Sequence, residues 1–202
     1  MWAVMSASLL DIDGVPCVFS ITRNTTDARI AEEKIRNLAF YDPLTNLPNR
    51  RLLMDRLGFA MVSGARHSRK RALLFVDLDN FKALNDTHGH EVGDQLLIEV
   101  ANRLQQVVRD SDTVARFGGD EFIVLLAGLD DDLAKANEQV ASVSDKIHRV
   151  LNAEYLFDDL RYQGSVSVGA KLILGDDADA DADQILKEAD KAMYAAKKCL
   201  YS

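Results

Sequence analysis

Two short acidic stretches of the sequence carry side chains that could hold a metal ion. Asp77 and Asp79 end an apolar run, and Asp120 and Glu121 directly follow a pair of glycines. A carboxylate at the end of a buried strand is costly unless it is paired or holds a cation. Two adjacent acids likewise repel each other unless they share one. If the two strands are neighbours, Asp77 and Asp120 form a hard-oxygen site suited to magnesium. For Asp77 and Asp79 alone, capping of the following helix is an equally good interpretation.

A magnesium site of this kind favours phosphoryl or nucleotidyl transfer, because the ion activates a hydroxyl and stabilises the leaving phosphate. The composition restricts how phosphates are bound. The 202 residues include 24 Lys and Arg against 32 Asp and Glu, which gives a net charge of -8. This balance argues against a protein that coats a nucleic acid, since binding to a phosphate backbone requires clustered cations. We therefore expect phosphates to be bound locally and through a metal.

The sequence also bears on cellular location. No apolar run approaches the roughly 20 residues that span a bilayer, and the start of the chain has no basic stretch typical of a signal peptide. The two cysteines, Cys17 and Cys199, are far apart and show no metal-ligand spacing. These features predict a cytoplasmic protein without a membrane segment.

Two adjacent strands and their flanking helices must position the acidic stretches. The apolar run at 71–78 is typical of a buried strand, and two strands flank the Gly118-Gly119 turn. The alternation of strands and helices predicts an α/β or α+β domain, with a mainly antiparallel central sheet flanked by helices. The other predicted strands are 113–117, 121–127 and 164–174. One predicted helix begins near residue 48, a short helical segment ends at Leu84, and three further helices span 91–108, 131–152 and 183–198. Residues 175–182 are predicted to form a loop.

Residues 118–122 read GGDEF, the signature of the diguanylate cyclases, and residues 42–202 resemble that family. The resemblance implies the fold shared by nucleotidyl cyclases and polymerase palm domains. It also implies condensation of two GTP molecules into cyclic di-GMP and pyrophosphate. The other matching stretches, in order, are Asp42 to Arg50, Asp77 to Lys82, Asn85-Asp86, Gly89-His90, Gly93-Asp94, Ser167 to Gly169 and Asp190 to Lys197.

The resemblance assigns the catalytic and metal-binding roles by position. Asp77, the carbonyl of Leu78 and Asp120 would ligate magnesium or manganese, with Glu121 supporting the metal site. Asp120 would also help to deprotonate the attacking 3′-hydroxyl. Asp120 and Glu121 are therefore the expected catalytic residues.

The same resemblance assigns residues to GTP. Asn85 and Asp94 would recognise guanine, and a carboxylate can accept from guanine N1–H and the exocyclic amine together, a donor pair that adenine lacks. Phe81 and Lys82, at the start of the helix that follows Asp79, would place backbone amides and a cation near the β- and γ-phosphates. An anion site of this kind suits a helix N-terminus. The remaining residues expected to contact GTP are His90 and Lys197.

Arg109 and Asp112 form an Arg-x-x-Asp pattern, which five residues, Thr113 to Phe117, separate from Gly118. In the family this placement marks an inhibitory site for cyclic di-GMP, where arginine stacks on guanine and contacts phosphate. An ion pair at the end of a helix is the other interpretation of the two residues. Arg116, by contrast, is expected to support the hairpin and not to contact ligand. The resemblance further implies that activity needs a homodimer, because each chain holds one GTP.

One departure from the family pattern affects the functional prediction. Tyr201 stands where the family has an arginine that helps to hold the triphosphate, and loss of a bidentate guanidinium weakens phosphate binding. A catalytically weak module that binds GTP or cyclic di-GMP is therefore the alternative function. Another nucleotidyl cyclase or palm enzyme with the same two carboxylates is a further alternative, although intact Asn85 and Asp94 favour GTP.

The N-terminal residues have a different pattern. Strand-like runs at 8–12 and 15–21 flank Asp13-Gly14, a strong hairpin signal. Residues 9–23 resemble the C-terminal hairpin of a PAS sensor domain, and a hairpin alone is marginal in water. We therefore predict a PAS-like fragment at 1–26, a linker helix at 27–41 that pairs in a dimer or is simply exposed, and the cyclase domain at 42–202.

Overall fold

The computed structural model describes residues 2–12, 15–67, 70–174 and 181–200. The chain divides into two units, Met1–Ala39 and Phe40–Ser202. Both acidic stretches and all the other candidate site residues belong to the second unit.

An antiparallel hairpin begins the first unit. Its strands are β1 (Ala3–Ile12) and β2 (Val15–Asn24), which pair along their whole length. The hairpin predicted from the sequence is confirmed, with strands longer than expected, while the predicted Asp13-Gly14 turn lies outside the described residues. The helix α1 (Thr26–Phe40) follows, close to its predicted range.

The second unit has a four-stranded sheet with helices on both sides. The strands lie in the order β4, β5, β3, β8, and every neighbouring pair is antiparallel. The predicted fold class is therefore confirmed. Among the described helices, none has both the length and the apolar content needed to cross a bilayer. The elements are α2 (Arg50–His67), β3 (Lys70–Leu78), α3 (Phe81–His88), α4 (His90–Val107), β4 (Thr113–Gly118), β5 (Glu121–Leu129), α5 (Leu133–Leu151), β6 (Tyr155–Phe157), β7 (Leu160–Tyr162), β8 (Val166–Ile173) and α6 (Ala182–Leu200).

The central strand β3 packs both of its faces, as its unbroken apolar run predicts. Leu73 and Phe75 lie in a buried cluster with residues of α2 and α6, whereas Leu74 and Val76 lie in a second cluster with residues of α4 and α5. This alternation follows from the period of two in a strand. The end of β3 is thereby fixed between two helical layers, and this packing also fixes the positions of Asp77 and Asp79 there.

Close packing also fixes α6 against the sheet. At Gly169 on β8, an added Cβ would lie 2.6 Å from the carbonyl oxygen of Ala189 and nearer still to the backbone of Met193. A side chain at this position would separate helix and strand. The glycine therefore lets α6, which carries Lys197, lie directly on β8, the strand that pairs with β3.

The structure differs from the sequence prediction at the hairpin of β6 and β7 and at the end of α3. The short hairpin of β6 and β7 is absent from the prediction, because strands of three residues are too short to show a period. The helical material expected to stop at Leu84 extends to His88, where Gly89 at φ 88° separates α3 from α4. Of the predicted loop at 175–182, residues 175–180 lie outside the described residues.

Candidate active site

The sheet register brings the two acidic stretches together. Asp77 near the end of β3 lies opposite Glu121 at the start of β5. The backbone N–H of Leu78 donates to the carbonyl oxygen of Asp120 at 3.3 Å. Both stretches therefore sit at the same end of two neighbouring central strands, as the sequence predicts.

Arg116 holds the Gly118-Gly119 turn in place. Its guanidinium Nε and Nη2 donate to the carbonyl oxygen of Gly119 at 3.0 and 2.8 Å, and Gly119 has a positive φ of 48°. Its Nη1 donates to both carboxylate oxygens of Asp42 at 3.1 and 3.2 Å. The prediction that Arg116 supports the hairpin is confirmed, and the arginine also links that hairpin to the motif that opens the domain.

The ionised form of Asp42 is favoured by its contacts with Arg116 and Thr45. Burial would raise the pKa of its carboxyl, but hydrogen bonds from Thr45 and Arg116 outweigh burial and lower the pKa below its ordinary value. Thr45 donates from both its backbone N–H and its hydroxyl, at 2.8 and 2.7 Å. The Asp42–Arg116 pair is half-buried, so this ion pair is less screened than one at the surface.

Asp77 is half-buried and its negative charge is only partly offset. Burial raises the pKa of the carboxyl, and the charges of Asp120 and Asp79 act in the same direction, against the hydrogen bond from Lys197. The Lys197 ammonium donates to Asp77 Oδ1 and lies 3.6 Å from Asp79 Oδ1. These carboxylates outweigh the effect of burial on Lys197 and raise its pKa. Tyr201, the departure from the family pattern, lies outside the described residues.

Asp79 has a different role from Asp77. It is 3% exposed, and its two carboxylate oxygens accept from the hydroxyls of Ser165 and Ser167, each at 2.8 Å. The N-cap position of α3 is Asn80, so helix capping by an aspartate, the alternative left open by the sequence, is not what the structure shows. Asp79 instead ties the end of β3 to these two serines and to Lys197. No pattern in the sequence indicated the serine partners.

Glu121 completes the acidic cluster. Burial raises the pKa of its carboxyl, and Asp120, Asp77 and Asp190 raise it further, while Arg50 lowers it. Asp190 lies on α6 in one of the sequence motifs, but sequence reasoning gave it no role. The acidic cluster, formed by the carboxylates of Asp77, Asp79, Asp120, Glu121 and Asp190, therefore concentrates negative charge at a partly buried site.

This donor set fits a hard divalent cation. Carboxylates and carbonyl oxygens are the ligands that magnesium prefers, and the raised pKa values of Asp77 and Glu121 show that ionisation is disfavoured without further positive charge. Within the described ranges, no three His, Cys, Asp or Glu side chains are already arranged around a metal position. The residues thus supply ligands from two strands but not a closed cage.

Five of the six residues expected to bind nucleotide lie on the two helices after β3, and the sixth, Lys197, lies on α6. Phe81 and Lys82 form the first turn of α3, directly beyond the acidic end of the strand. Asn85 is half-buried on α3, and Asp94 is exposed on α4. His90, also exposed, begins α4. All five therefore lie on the pair of helices that follows the acidic end of β3.

Arg109 and Asp112 lie elsewhere on the domain. The Asp112 carboxylate accepts from the backbone N–H of Arg109 and from that of Ala127, each at 3.0 Å. Ala127 is six residues along β5 from Glu121, a distance of roughly 20 Å at the rise of a strand. The two residues line a cavity of about 380 Å³ together with Lys135 and Lys146. The structure brings them together, but Asp112 also fastens the loop before β4.

Comparison with known proteins gives consistent matches over the second unit. Residues 39–199 match the model of the diguanylate cyclase GGDEF domain. The chain is 42% identical over 173 residues to the bifunctional diguanylate cyclase/cyclic di-GMP phosphodiesterase MucR of Pseudomonas aeruginosa. The matched region covers 86% of this chain and 24% of MucR. The chain spans between 21% and 24% of the length of three curated relatives that it matches.

Solved structures agree with the sequence matches. A sensory box/GGDEF family protein from Caulobacter crescentus is 37% identical, with a TM-score of 0.71 over 79% of this chain and 98% of that one. The coiled coil and GGDEF domain of DgcB from Caulobacter crescentus, solved in complex with c-di-GMP, is 26% identical. Its TM-score is 0.72, over 87% of this chain and 95% of that one.

Replacement of Glu121 by Gln is expected to stabilise the protein in the absence of divalent ions, by roughly 0.5–1 kcal/mol. The fold disfavours the charged form, so ionisation of Glu121 costs stability as the pH rises through its raised pKa. That cost disappears well below the ordinary value of 4.5, where the folded and unfolded forms are both protonated. Urea unfolding at about pH 7 and about pH 3.5 measures the difference.

Glu138→Gln is the matched control, because Glu138 is exposed on α5 and outside the cluster. It should leave the free energy of unfolding unchanged at both pH values. A Glu121→Gln protein that is less stable than wild type near neutral pH would contradict the repulsive cluster.

Proposed function

The chain belongs to the GGDEF family of diguanylate cyclases, and on that premise we propose that it condenses two GTP molecules into cyclic di-GMP and pyrophosphate with a divalent metal ion. The observation that carries the proposal is the register that sets Asp77 opposite Glu121, with Asp120 beside Leu78. A domain that consumes GTP would face the cytoplasm, and we propose that location.

Magnesium, or manganese, is the proposed ion. Asp77, the Leu78 carbonyl and Asp120 would hold it, with Glu121 in support, because these groups are hard oxygen donors on two neighbouring strands. When bound, such an ion lowers the pKa of a nearby hydroxyl and neutralises charge on a triphosphate. Asp120 would accept the proton of the 3′-hydroxyl, which then attacks the α-phosphate of the other GTP and releases pyrophosphate.

The proposed GTP contacts come from α3, α4 and α6. Asn85 and Asp94 would recognise the guanine edge, and the first turn of α3 would present the backbone amide of Phe81 and the ammonium of Lys82 to the phosphates. Lys197 contacts the acidic cluster, and from there its ammonium would reach the same phosphates. His90 at the start of α4 would contact the nucleotide from the edge of the site.

Activity would require two chains, because one domain holds one of the two reacting nucleotides. Two bound GTP molecules held face to face become effectively intramolecular reactants, which contributes much of the rate enhancement. The helix α1 supports pairing, since Ile35 and Leu38 are 68% and 72% exposed on it. Apolar side chains three positions apart lie on one face of a helix, and this face suits the α1 of a second chain.

We further propose that residues 1–26 are the end of a PAS-like sensor domain, with 27–41 as the linker and 42–202 as the cyclase domain. Support comes from the exposed apolar side chains of the hairpin. Met5, Leu9 and Val18 are 70–72% exposed, whereas a sheet in a complete domain buries one of its faces. The input signal would then be sensed by residues outside this chain.

Cyclic di-GMP would inhibit the enzyme at Arg109 and Asp112. The cavity beside them supports this proposal, because Arg109, Lys135 and Lys146 line a space of about 380 Å³, which the acidic residues Asp112, Asp130 and Glu138 also line. Cations of this kind suit a ligand with two phosphates. The distance from Glu121 makes the site separate from the one for GTP.

Incubation of the chain with GTP and magnesium should yield cyclic di-GMP, detected by chromatography, at a rate per chain that rises with protein concentration. Asp120→Asn is expected to lower that rate at least 100-fold, on the order of the loss of a general base and metal ligand. Asp145→Asn, on the exposed surface of α5, should leave it unchanged. GTP binding without any cyclic di-GMP at high protein concentration would favour the regulatory module instead.

Arg109→Ala is expected to weaken the binding of cyclic di-GMP by at least about tenfold, as loss of a charge-assisted contact does. Calorimetric titration measures the affinity, and Arg149→Ala provides an exposed arginine on α5 as the control. Equal affinities for the Arg109→Ala and wild-type proteins would rule out the inhibitory site.

A further inference from the structure

A glycine on α4 lies against the amide group of Asn85 on α3. A Cβ built on Gly93 would lie 3.0 Å from Asn85 Cγ, 3.3 Å from Nδ2 and nearer still to Oδ1. Real Cβ atoms essentially never approach heavy atoms so closely. The amide of Asn85 therefore occupies the space that any side chain at position 93 would take.

Gly93 differs in this respect from Gly169 and Gly58. At Gly169 the added atom would meet backbone atoms of α6, whereas at Gly58 on α2 it would meet nothing within 4 Å. At Gly93 it would meet the three atoms at the end of one side chain. Because that side chain can rotate, a substitution at Gly93 displaces Asn85 without displacing a helix.

The oxygen of the Asn85 amide faces Gly93 in the contact between α3 and α4. Its Oδ1 is buried and has no hydrogen-bond partner within the described part of the chain. The helix backbone around it is fixed, since the N–H of Gly89 donates to the carbonyl oxygen of Asn85 at 2.9 Å and the N–H of Gly93 donates to that of Gly89 at 3.4 Å. The amide therefore takes its orientation from the surface of Gly93, and not from a hydrogen bond.

We propose that Gly93 is a positioning residue that determines specificity for guanine. It acts by leaving the space in which the Asn85 amide lies, and it directly precedes Asp94 on α4. A glycine within a helix is intrinsically less favourable than alanine, so its presence calls for a gain elsewhere, and the orientation of Asn85 is that gain. The inference rests on the proposed function, because it assumes that Asn85 recognises guanine.

The test compares the binding of 3′-deoxy-GTP and 3′-deoxy-ATP, which lack the attacking hydroxyl, so that affinity is measured without turnover. Wild type is expected to prefer the guanine nucleotide. Gly93→Ala should lower affinity for 3′-deoxy-GTP by about 10- to 100-fold, the effect of losing one base-reading contact. Its affinity for 3′-deoxy-ATP should change less than about twofold, since the contacts to the phosphates remain.

Two further variants separate positioning from damage to the fold. Gly58→Ala adds the same methyl group to an open position of a helix and should bind both nucleotides like wild type. Asn85→Ala removes the group that Gly93 positions, so adding Gly93→Ala to it should cause no further loss of affinity. The thermal midpoint of Gly93→Ala should stay within about 5 °C of that of wild type.

Four results would overturn the inference. Gly93→Ala with the guanine preference of wild type would do so and leave the proposed function standing. Equal losses for both nucleotides, or a further loss in the Asn85→Ala background, would show that Gly93 maintains the fold instead. A wild-type protein that binds both nucleotides equally would overturn the guanine site itself, and this inference with it.

Discussion

Repulsion between carboxylates is the constraint on which the rest of the second unit depends. Asp77 and Glu121 face each other across β3 and β5, and the charges of Asp79, Asp120 and Asp190 act on them. Burial and repulsion disfavour the ionised forms, so this arrangement costs stability in the absence of a cation. Natural proteins keep such costly clusters at functional sites, and here the cost is a reason to expect a divalent ion.

The framework around the cluster holds it in spite of that repulsion. Arg116 joins the glycine turn to Asp42, and Asp79 joins the end of β3 to Ser165, just before β8, and to Ser167 within it. Lys197 reaches the carboxylates from α6 because Gly169 lets that helix lie directly on β8. Contacts from β3, β4, β8 and α6 therefore hold one end of the sheet rigid. This rigidity suits a reaction in which metal and phosphates must be placed accurately.

Local patterns were enough to predict much of this arrangement. The apolar run before Asp77 indicated a buried strand, and the glycine pair indicated the hairpin. That the two strands are neighbours was a condition of the predicted metal site, and the pairing of β3 with β5 meets it. The serine partners of Asp79 were not predictable, because they lie 86 and 88 residues away and no local pattern encodes such a pairing. The overlap between position 93 and Asn85 likewise depends on how closely α3 and α4 approach, which a helical period does not specify. Strands as short as β6 and β7 carry too few residues to show a period at all.

Crystals of the protein with manganese and 3′-deoxy-GTP would test the central claim most directly, because manganese is located by its anomalous scattering and the nucleotide cannot react. We predict an anomalous peak within coordination distance of the carboxylates of both Asp77 and Asp120 and of a phosphate oxygen. Manganese bound at any other place, with the nucleotide present and both aspartates unliganded, would contradict a metal site shared by the two strands.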